Sequence, residues 1–343
     1  MPQRITRRSF ARASVAIPVA VAARRVRAAD PLRLRCSLDT GPTHLRNVAI
    51  ADYLKKLGDA SGGEIKTELF QSGQLFPDLD VSKALIQGQV EMAAPGAWTQ
   101  TGFIPDCDFF QLPVMYGQPV DVEHRATDGA AGARVAGEIE QKLRSQVLGK
   151  WLTLGYQNWY SRAKPLASLE DLRGLKIRSP GGAGVSWRIR FVGGVANTTA
   201  WPNVPLALSQ GTFDALVSTN ESCASAQLWE AGVRYAFEDH QFIGEYIPMV
   251  SQAFWTKLTP ELQTMMKKLW AENIDTYRAN LFAAQVKARQ TMIDHGVAFA
   301  DPTPEQTAAV RKKMMLEQDD LAKELKISPE MVKIVMNDLG PSA

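Results

Sequence analysis

The chain has 343 residues, a length that suits about two domains, and 45% of them are hydrophobic, as in an ordinary globular protein. Its formal net charge is +3 at pH 7, but seven of the arginines and none of the acidic residues lie within residues 1–29. Without that segment, 32 basic residues stand against 36 acidic ones, so the net charge becomes −4. This balance removes most of the case for nucleic-acid binding, which needs a concentrated basic surface.

Residues 1–29 differ in kind from the rest of the chain. Residues 6–12 contain twin arginines followed by a phenylalanine, and a short, mildly apolar run covers residues 13–23. This pattern resembles a bacterial twin-arginine export signal, which predicts a periplasmic protein. A basic N-terminal arm is the alternative, and the cleavage point stays open between contexts ending at Ala28 and Ala29. The run is too short to span a bilayer, and no later segment has about 18 apolar residues, so we expect no membrane anchor.

The first part of the remaining chain alternates strand and helix patterns. Apolar and polar residues alternate over 32–38 and over 65–69, which predicts two strands, and apolar residues at helical spacing predict a helix over 45–57 between them. A helix at 82–87 and a short buried strand at 90–94 follow. This β-α-β-α-β order predicts a parallel sheet with helices on its faces, and therefore an α/β fold.

The central part of the chain continues with shorter segments of both kinds. The patterns predict, in order, a helix over 121–146, a strand over 151–154 that ends at 155–159, a helix from 184 to about 192, a polar turn at Asn197, a helix over 205–210, a strand over 213–218, a helix and a strand within 228–237, and a strand within 247–254. No internal repeat and no low-complexity linker interrupts this order.

A strong helix start occurs at residues 259–261, where Thr, Pro and Glu supply a cap, a first-turn proline and an acidic residue. No proline or glycine follows before His295. The predicted helix therefore has roughly 35 residues and a length of about 50 Å, which exceeds one small domain. The same start signature at residues 303–305 and 328–330 predicts two C-terminal helices.

The segment 168–182 contains the first candidate functional residue. Ser168 and Asp171 have the spacing of a helix cap with an acidic partner, and residues 175–178 alternate as a strand. Arg178 then stands at the carboxyl end of a strand, before a glycine turn and the next helix, where α/β sheets bind ligands. Its planar guanidinium matches a carboxylate through two hydrogen bonds. Taken alone, a surface arginine or a structural ion pair is the alternative interpretation.

The histidines and cysteines do not form a recognisable chemical motif. The four histidines do not pair at metal-ligand spacing, and Cys36, Cys107 and Cys223 lie far apart, so we expect no metal site and interpret the cysteines as buried apolar residues. No Gly-x-Ser-x-Gly motif and no phosphate-binding loop occurs. We therefore expect a protein that is not an enzyme and has no cofactor.

Several short motifs follow one another in an order and spacing that resemble a known family. They are residues 61–63 (SGG), 73–75 (GQL), 111–113 (QLP), 172–180 (LRGLKIRSP), 207–211 (ALSQG) with 213–214 (FD), 228–230 (LWE) and 254–258 (FWTKL). With them, the chain resembles the DctP-like periplasmic solute-binding proteins of tripartite ATP-independent periplasmic (TRAP) transporters. The resemblance extends from about Leu32 to Asp338.

This resemblance implies an α/β, two-domain periplasmic solute-binding fold with a long helix bridging both domains. After the export signal at 1–29, we place domain I at residues 30–155 plus 244–283 and domain II at 156–243 plus 284–343. The resemblance also implies a receptor that captures a small organic carboxylate by domain closure and delivers it to the small and large TRAP membrane subunits. We expect a monomer that contacts no nucleic acid.

The resemblance further implies that Arg178 binds the carboxylate of the ligand. A second arginine often precedes it in the family, and counting back without gaps places Asn158 there, which adds no charge and favours a monocarboxylate. Ser218 stands where the family often has an asparagine, for which Asn220 is a nearby substitute. His44, in the first cleft-side loop, is either a ligand contact or a solvated loop residue.

Three tryptophans complete the set of candidate ligand contacts. Trp98 and Trp201 fall on loops that line the cleft in related proteins, and Trp159 neighbours Asn158. An indole can stack on a flat, apolar or sugar-like acid, and ordinary interdomain packing is the alternative role. The same fold also serves binding proteins that feed a signalling sensor, and a twin-arginine-exported enzyme is the rival from another class.

Overall fold

The structure, a computed structural model, describes Met1 and residues 30–339. Apart from Met1, the predicted export signal at residues 1–29 lies outside this part. The strands are β1 (Leu32–Ser37), β2 (Ile65–Phe70), β3 (Met92–Ala93), β4 (Ser145–Val147), β5 (Leu152–Ser161), β6 (Lys176–Ser179), β7 (Val195–Thr198), β8 (Ala215–Ser218), β9 (Tyr235–Tyr246), β10 (Met249–Ser251) and β11 (Ala298–Ala300).

The helices alternate with these strands and dominate the C-terminal part. They are α1 (Leu45–Ala60), α2 (Asp78–Ile86), α3 (Val120–Asp128), α4 (Ala130–Lys142), α5 (Ala183–Phe191), α6 (Val204–Ser209), α7 (Asn220–Ser225), α8 (Gln252–Trp255), α9 (Pro260–Asp294), α10 (Pro304–Met315), α11 (Gln318–Glu324) and α12 (Pro329–Leu339). Among the described residues, none of these helices combines the length and hydropathy needed to cross a membrane.

The first sheet has the strand order β2-β1-β3-β10-β4. β1 pairs in parallel with both β2 and β3, and α1 and α2 connect these strands, as the β-α-β-α-β pattern predicts. β10 pairs antiparallel with β3 and β4. Cys36, in β1, is free and buried, as are Cys107 and Cys223 elsewhere, which confirms their interpretation as buried apolar residues.

The second sheet has the strand order β11-β9-β5-β8-β6-β7. β6 pairs in parallel with β7 and β8, whereas β5 pairs antiparallel with β8 and β9. The chain passes from the first sheet to the second between β4 and β5, and it returns between β9 and β10. The predicted α/β class with two sheet-based domains is confirmed.

The long helix α9 contacts elements that belong to both sheets. It contains 35 residues, and the Thr259 side chain accepts a hydrogen bond from the Leu262 amide, so the predicted cap is present. The Tyr277 hydroxyl donates to Asp52 on α1, at 2.6 Å, next to the first sheet. Further along, Gln285 accepts from the amide of Glu221 on α7, at 3.0 Å, next to the second sheet. The predicted bridging helix is therefore confirmed.

The single helix predicted over 121–146 is wrong. α3 and α4 are separated at Gly129, whose φ of −95° and ψ of −150° are not helical, and residues 145–147 form β4 instead. The two helices approach so closely that a Cβ atom at Gly132 would lie 1.8 Å from the Thr127 carbonyl oxygen. A hydrophobic periodicity that continues across both helices conceals this break.

Other differences concern the ends of short elements. The strand predicted to end at residues 155–159 continues as β5 to Ser161, because β8 and β9 pair with both of its edges. The predicted polar turn at Asn197 lies inside β7, which is paired with β6. The helix predicted just before β9 is a series of turns, and α7 and α11 are additional short helices.

Candidate ligand-binding site

A small cavity of about 30 Å³ lies where loops from the two sheets meet. Residues that follow strands of the first sheet form one wall: Asp39, Asp78, Leu79 and Trp98. Residues at strand ends of the second sheet form the facing wall: Arg178, Pro180, Ala200, Trp201, Ser218 and Ser222. Leu154 and Gln157 on β5 and Tyr246 at the end of β9 complete the lining, on the strands next to the two crossings.

The location of this cavity follows from the direction of the parallel strands. Asp39 follows β1, Trp98 follows β3, and Ser218 ends β8, so each wall residue stands at a carboxyl end. Loops at these ends point away from the sheet and leave a crevice for a ligand, as is general in α/β proteins. The sequence of alternating strands and helices thus brings distant residues to one place.

Arg178 is buried at this crevice with only 3% of its surface exposed. Its Nε donates to the Thr199 carbonyl oxygen at 3.0 Å, and its Nη1 donates to the Val217 carbonyl oxygen at 3.2 Å. The guanidinium lies over the Trp201 ring, 5.4 Å from its centroid. Within residues 30–339, no carboxylate lies within 4.0 Å of it, and no hydrogen bond involves its Nη2.

Burial lowers the pKa of Arg178 to about 10, and the Asp39 carboxylate opposes this effect. The guanidinium therefore keeps its positive charge at neutral pH. A buried charge without a counter-ion costs free energy, and an anion that reaches it recovers part of that cost. Arg178 is thus a buried positive group with no acidic partner among residues 30–339.

Arg46 is a second buried arginine beside the cavity, but its environment differs. Its Nη2 donates to Asp39 at 2.6 Å, and its Nη1 donates to Asp78 at 2.7 Å. Its guanidinium also lies 4.1 Å from the centroid of the Tyr246 ring. Burial alone would lower the pKa of Arg46, but the carboxylates of Asp78 and Asp39 raise it above its usual value. Arg46 is consequently a structural ion-pair partner that holds two cavity carboxylates.

The tryptophan and glycine loops bring the two walls into contact. Trp98 is 8% exposed, and its ring lies 5.6 Å from that of Tyr246. Gly182, in the turn after β6, has a φ of +84°, and a Cβ there would lie 2.9 Å from the Trp98 carbonyl oxygen. The glycine turn next to Arg178 therefore permits a close approach between the walls.

The structure places Arg178, Trp98, Trp201 and Ser218 in the lining of one cavity. His44 does not line the cavity but contacts a residue that does. His44 caps α1, where its Nδ1 accepts from the Arg46 amide at 3.1 Å, so its Nε2 carries the proton. That Nε2 lies 3.0 Å from the hydroxyl of Ser222, which lines the cavity, and 2.9 Å from Glu221. His44 is 1% exposed, so the interpretation as a solvated loop residue is wrong.

Asn158, Trp159 and Asn220 lie outside the cavity lining. The Asn158 side chain donates to the Tyr156 carbonyl oxygen at 3.3 Å and accepts from the His240 amide at 3.1 Å. The preceding residue, Gln157, lines the cavity instead, at a point where a register shift in β5 interrupts the strand alternation. The β5 residue at this point of the cavity is therefore Gln157, one position before Asn158, which the ungapped count back from Arg178 selects.

Trp159 and Asn220 belong to buried polar networks instead. The Trp159 indole donates to Asp239 at 2.9 Å, and a register shift between Gln157 and Trp159 interrupts the strand alternation. The Asn220 side chain accepts from the Tyr160 hydroxyl at 2.7 Å and donates to Glu238. Both side chains are held in these networks, and neither residue lines the cavity.

Several wall residues have no counterpart in the sequence-based set. Asp39 and Ser222 follow strand ends, a position that is itself a usable signal. Gln157, Leu154 and Tyr246 lie on antiparallel strands, and nothing in their local sequence marks them. Within residues 30–339, no group of three or more histidine, cysteine or acidic side chains is arranged to hold a metal ion.

Comparisons with known proteins identify the family of this chain. The chain matches bacterial extracellular solute-binding protein, family 7 (DctP), over residues 39–324. It is 25% identical over 300 residues to the C4-dicarboxylate-binding periplasmic protein DctP of Rhodobacter capsulatus, which covers 87% of this chain and 88% of that protein.

Solved structures share the fold at lower sequence identity. The sugar acid binding protein of Advenella mimigardefordensis in complex with galactonate has a TM-score of 0.85 and 19% identity, over 92% of this chain and 99% of that one. A TRAP periplasmic solute binding protein from Sulfurospirillum deleyianum with bound succinate has a TM-score of 0.80 and 22% identity, over 90% and 99% of the two chains.

The family match spans most of the described chain, and the resemblance found in the sequence motifs is thereby confirmed. The relatives and neighbours reported above are binding proteins rather than enzymes. The chain belongs to the DctP family of bacterial extracellular solute-binding proteins.

Proposed function

We propose that this protein is the periplasmic receptor of a TRAP transporter and that it captures a small organic acid through an ion pair with Arg178. The family supports the coarser statement that it is a solute-binding receptor. The named relatives bind C4-dicarboxylates, galactonate and succinate, and every one of these ligands carries a carboxylate.

One observation carries the proposal: the Arg178 guanidinium is buried at the crevice without an acidic partner among residues 30–339. Two backbone carbonyls hold Nε and Nη1, which fixes the plane of the group. Nη2 is then available to a carboxylate together with Nη1. A buried, oriented guanidinium of this kind recognises a planar anion with geometric specificity.

Domain closure is the second part of the proposed mechanism. The volume of about 30 Å³ has room for about two water molecules, which is less than an organic acid needs. Ligand entry therefore requires the walls to separate, and the predicted domains 30–155 plus 244–283 and 156–243 plus 284–343 are the units that move. Closure over a bound acid excludes water and strengthens the ion pair.

Specific contacts between the walls support such a closed form. His44, after β1, meets Ser222 and Glu221 on α7, and the Leu45 amide donates to Glu221 at 2.9 Å. These contacts connect elements of the first sheet to elements of the second. In the proposed mechanism they form on closure, and His44 acts as a latch between the domains rather than as a direct ligand contact.

The proposed receptor is exported by the twin-arginine signal and works as a monomer. The closed form presents its surface to the small and large TRAP membrane subunits, which take over the acid. The family and the carboxylate ligands named in related structures support the role of a receptor that delivers an acid to a transporter.

A thermal-shift screen with matched ligands tests the proposed function. Each candidate acid is compared with its primary amide, which has a similar shape but no charge. We expect at least one acid to raise the melting temperature, since a ligand stabilises the folded state by RT ln(1 + [L]/Kd), and its amide to have no effect. Equal shifts for acid and amide, or no shift with any acid, would contradict the proposal.

A further inference from the structure

The two walls of the cavity carry opposite charge. Arg178 stands on the wall from the second sheet, and Asp39 and Asp78 stand on the wall from the first sheet. One guanidinium, that of Arg46, is shared between these two carboxylates. When both are ionised, the cluster Asp39–Arg46–Asp78, called here the acidic wall, has a net charge of −1.

The hydrogen bonds of the acidic wall leave one oxygen without a donor. Asp39 accepts from Arg46 and from the Asp78 amide, at 2.6 and 3.2 Å. Asp78 Oδ2 accepts from Arg46 and from the Gly96 amide, at 2.7 and 3.2 Å. Among the residues that the structure describes, no group donates to Asp78 Oδ1, and a carboxylate can accept about four hydrogen bonds in total.

Other groups at this cavity are also without partners. Within residues 30–339, the side-chain amide of Gln157 and the hydroxyl of Tyr246 form no hydrogen bond, although both residues line the cavity. Both residues are mostly buried, and their polar groups are free to bind polar groups of a ligand. Leu79, Leu154 and Pro180 supply apolar contacts around them.

A second carboxylate on the ligand would be poorly matched to the acidic wall. It would approach two carboxylates whose single guanidinium is already shared, and like charges in a buried site repel strongly. A hydroxyl or ammonium group would instead donate to Asp78. The same wall of the cavity therefore attracts a donor and rejects an anion.

We propose that the ligand is a monocarboxylate with a hydrogen-bond donor, a hydroxyl or an ammonium group, at the end opposite its carboxylate, and that Asp39 and Asp78 exclude dicarboxylates. The inference rests on the proposed receptor function, because it requires Arg178 to hold the carboxylate. In this inference, the acidic wall selects the chemical group that the ligand carries at the end opposite its carboxylate.

The test is a calorimetric ladder of unbranched acids with the wild-type protein. Each chain length from malonate to adipate is represented by the dicarboxylate, the ω-hydroxy acid, the ω-amino acid and the plain monocarboxylate. Binding is measured at about pH 8, where Asp78, whose pKa burial raises to about 7, is ionised. The ladder covers different distances between the two ends of the ligand.

At the best chain length, the hydroxy or amino acid is expected to bind at least about tenfold tighter than the dicarboxylate and the plain acid, a factor typical of one hydrogen bond to a charged group. A hydroxy acid that binds better than the amino acid identifies a neutral donor, and the reverse order identifies a cationic one. Either order supports the proposal.

Two variants separate charge from shape. Asp78→Asn removes the negative charge and should reduce the preference for the hydroxy or amino acid over the dicarboxylate by about tenfold. Glu91→Gln should leave this preference unchanged, because Glu91 pairs with Arg35 away from the cavity. Because Asp78 also holds Arg46, the folding of each variant is checked by thermal unfolding. If Asp78→Asn does not fold, the wild-type ladder alone decides.

Different results would contradict the acidic-wall inference and the receptor function. If a dicarboxylate binds as tightly as the hydroxy and amino acids of its length, the acidic-wall inference is overturned and the receptor function stands. If no acid in the ladder or in the thermal-shift screen binds, the receptor function fails and the inference fails with it.

Discussion

Arg178 and Arg46 are both buried beside one cavity, but Arg46 contacts two carboxylates and Arg178 contacts none among residues 30–339. The difference separates a structural arginine from one that is prepared for a ligand. Removing one partner of a buried ion pair leaves the other charge uncompensated, whereas removing an unpaired charge does not. We therefore expect the same substitution to destabilise the protein more at Arg46 than at Arg178.

The first prediction concerns the stability of the ligand-free protein. Arg46→Met leaves Asp39 and Asp78 without their cation and should lower the free energy of unfolding by about 3–5 kcal/mol. Arg178→Met should lower it by clearly less, because the removal of a buried, unpaired charge offsets the loss of its two hydrogen bonds to backbone carbonyls. Urea unfolding followed by tryptophan fluorescence measures both, and similar losses for the two variants would contradict this interpretation.

The second prediction concerns the indole beneath the guanidinium. Trp201 lies 5.4 Å from Arg178, and a cation–π contact of this kind contributes about 0.5–2 kcal/mol. Trp201→Leu should therefore weaken binding of the best acid by roughly 2- to 30-fold, and Trp201→Phe by less. Calorimetric titration measures the change. Equal affinity of the wild type and Trp201→Leu would remove this ring from the site.

The third prediction tests the placement of Trp159 outside the cavity lining. Trp159→Phe removes the hydrogen bond to Asp239 and should cost about 1–3 kcal/mol of stability, the usual penalty for a buried polar group that loses a partner. Its affinity for the best acid should change by less than about twofold, which is within a few tenths of a kcal/mol. A large loss of affinity with unchanged stability would instead make Trp159 a ligand contact.

The fourth prediction concerns pH. Burial raises the pKa of Asp108, Asp239 and Glu245 to about 7, well above their values in an unfolded chain. Between about pH 4 and pH 7 these three carboxyls bind more protons in the folded state, so their contribution to stability falls as pH rises. Burial lowers the pKa of His124 to about 4, and this group acts in the opposite direction. Carboxyls with lowered pKa, such as Asp106 and Asp171, lose their stabilising effect only below about pH 4.

The free energy of unfolding should accordingly be higher at about pH 5 than at about pH 8, by an amount on the order of a few kcal/mol. Asp239→Asn keeps the shape of the side chain but cannot ionise, so it should reduce this slope. Urea unfolding across the range measures both slopes. A stability that rises from about pH 5 to about pH 8 would show that these carboxyls are ionised in the folded protein.

Much of the fold could be predicted because its signals are local. The cap at Ser168 with Asp171 is present, β6 and α5 follow in the predicted order, and α9 begins at Pro260 after its predicted Thr259 cap. These features depend on neighbouring residues and on hydrophobic periodicity. The break between α3 and α4 was not predictable in this way, because close packing at Gly132 decides it.

The residues of the candidate site also differ in whether local sequence signals predict them. Arg178 stands at a strand end, so the order of strands and helices was enough to propose it. Trp98, Trp201 and Ser218 also line the cavity, but they were proposed from the family resemblance. Gln157 and Tyr246 lie on long antiparallel strands whose pairing partners are distant in sequence. A register shift in β5 also decides which of its side chains face the cavity, and no local pattern predicts such a shift.

The affinity of Arg178→Ala for the best acid tests the central claim most directly. Isothermal titration calorimetry of this variant is compared with that of the wild type and of Arg190→Ala, an exposed arginine paired with Glu324, which serves as control. Loss of one partner of a buried ion pair costs about 2–5 kcal/mol, so Arg178→Ala should weaken binding by roughly 30- to several-thousand-fold. An Arg178→Ala affinity equal to that of the wild type and the control would contradict the account.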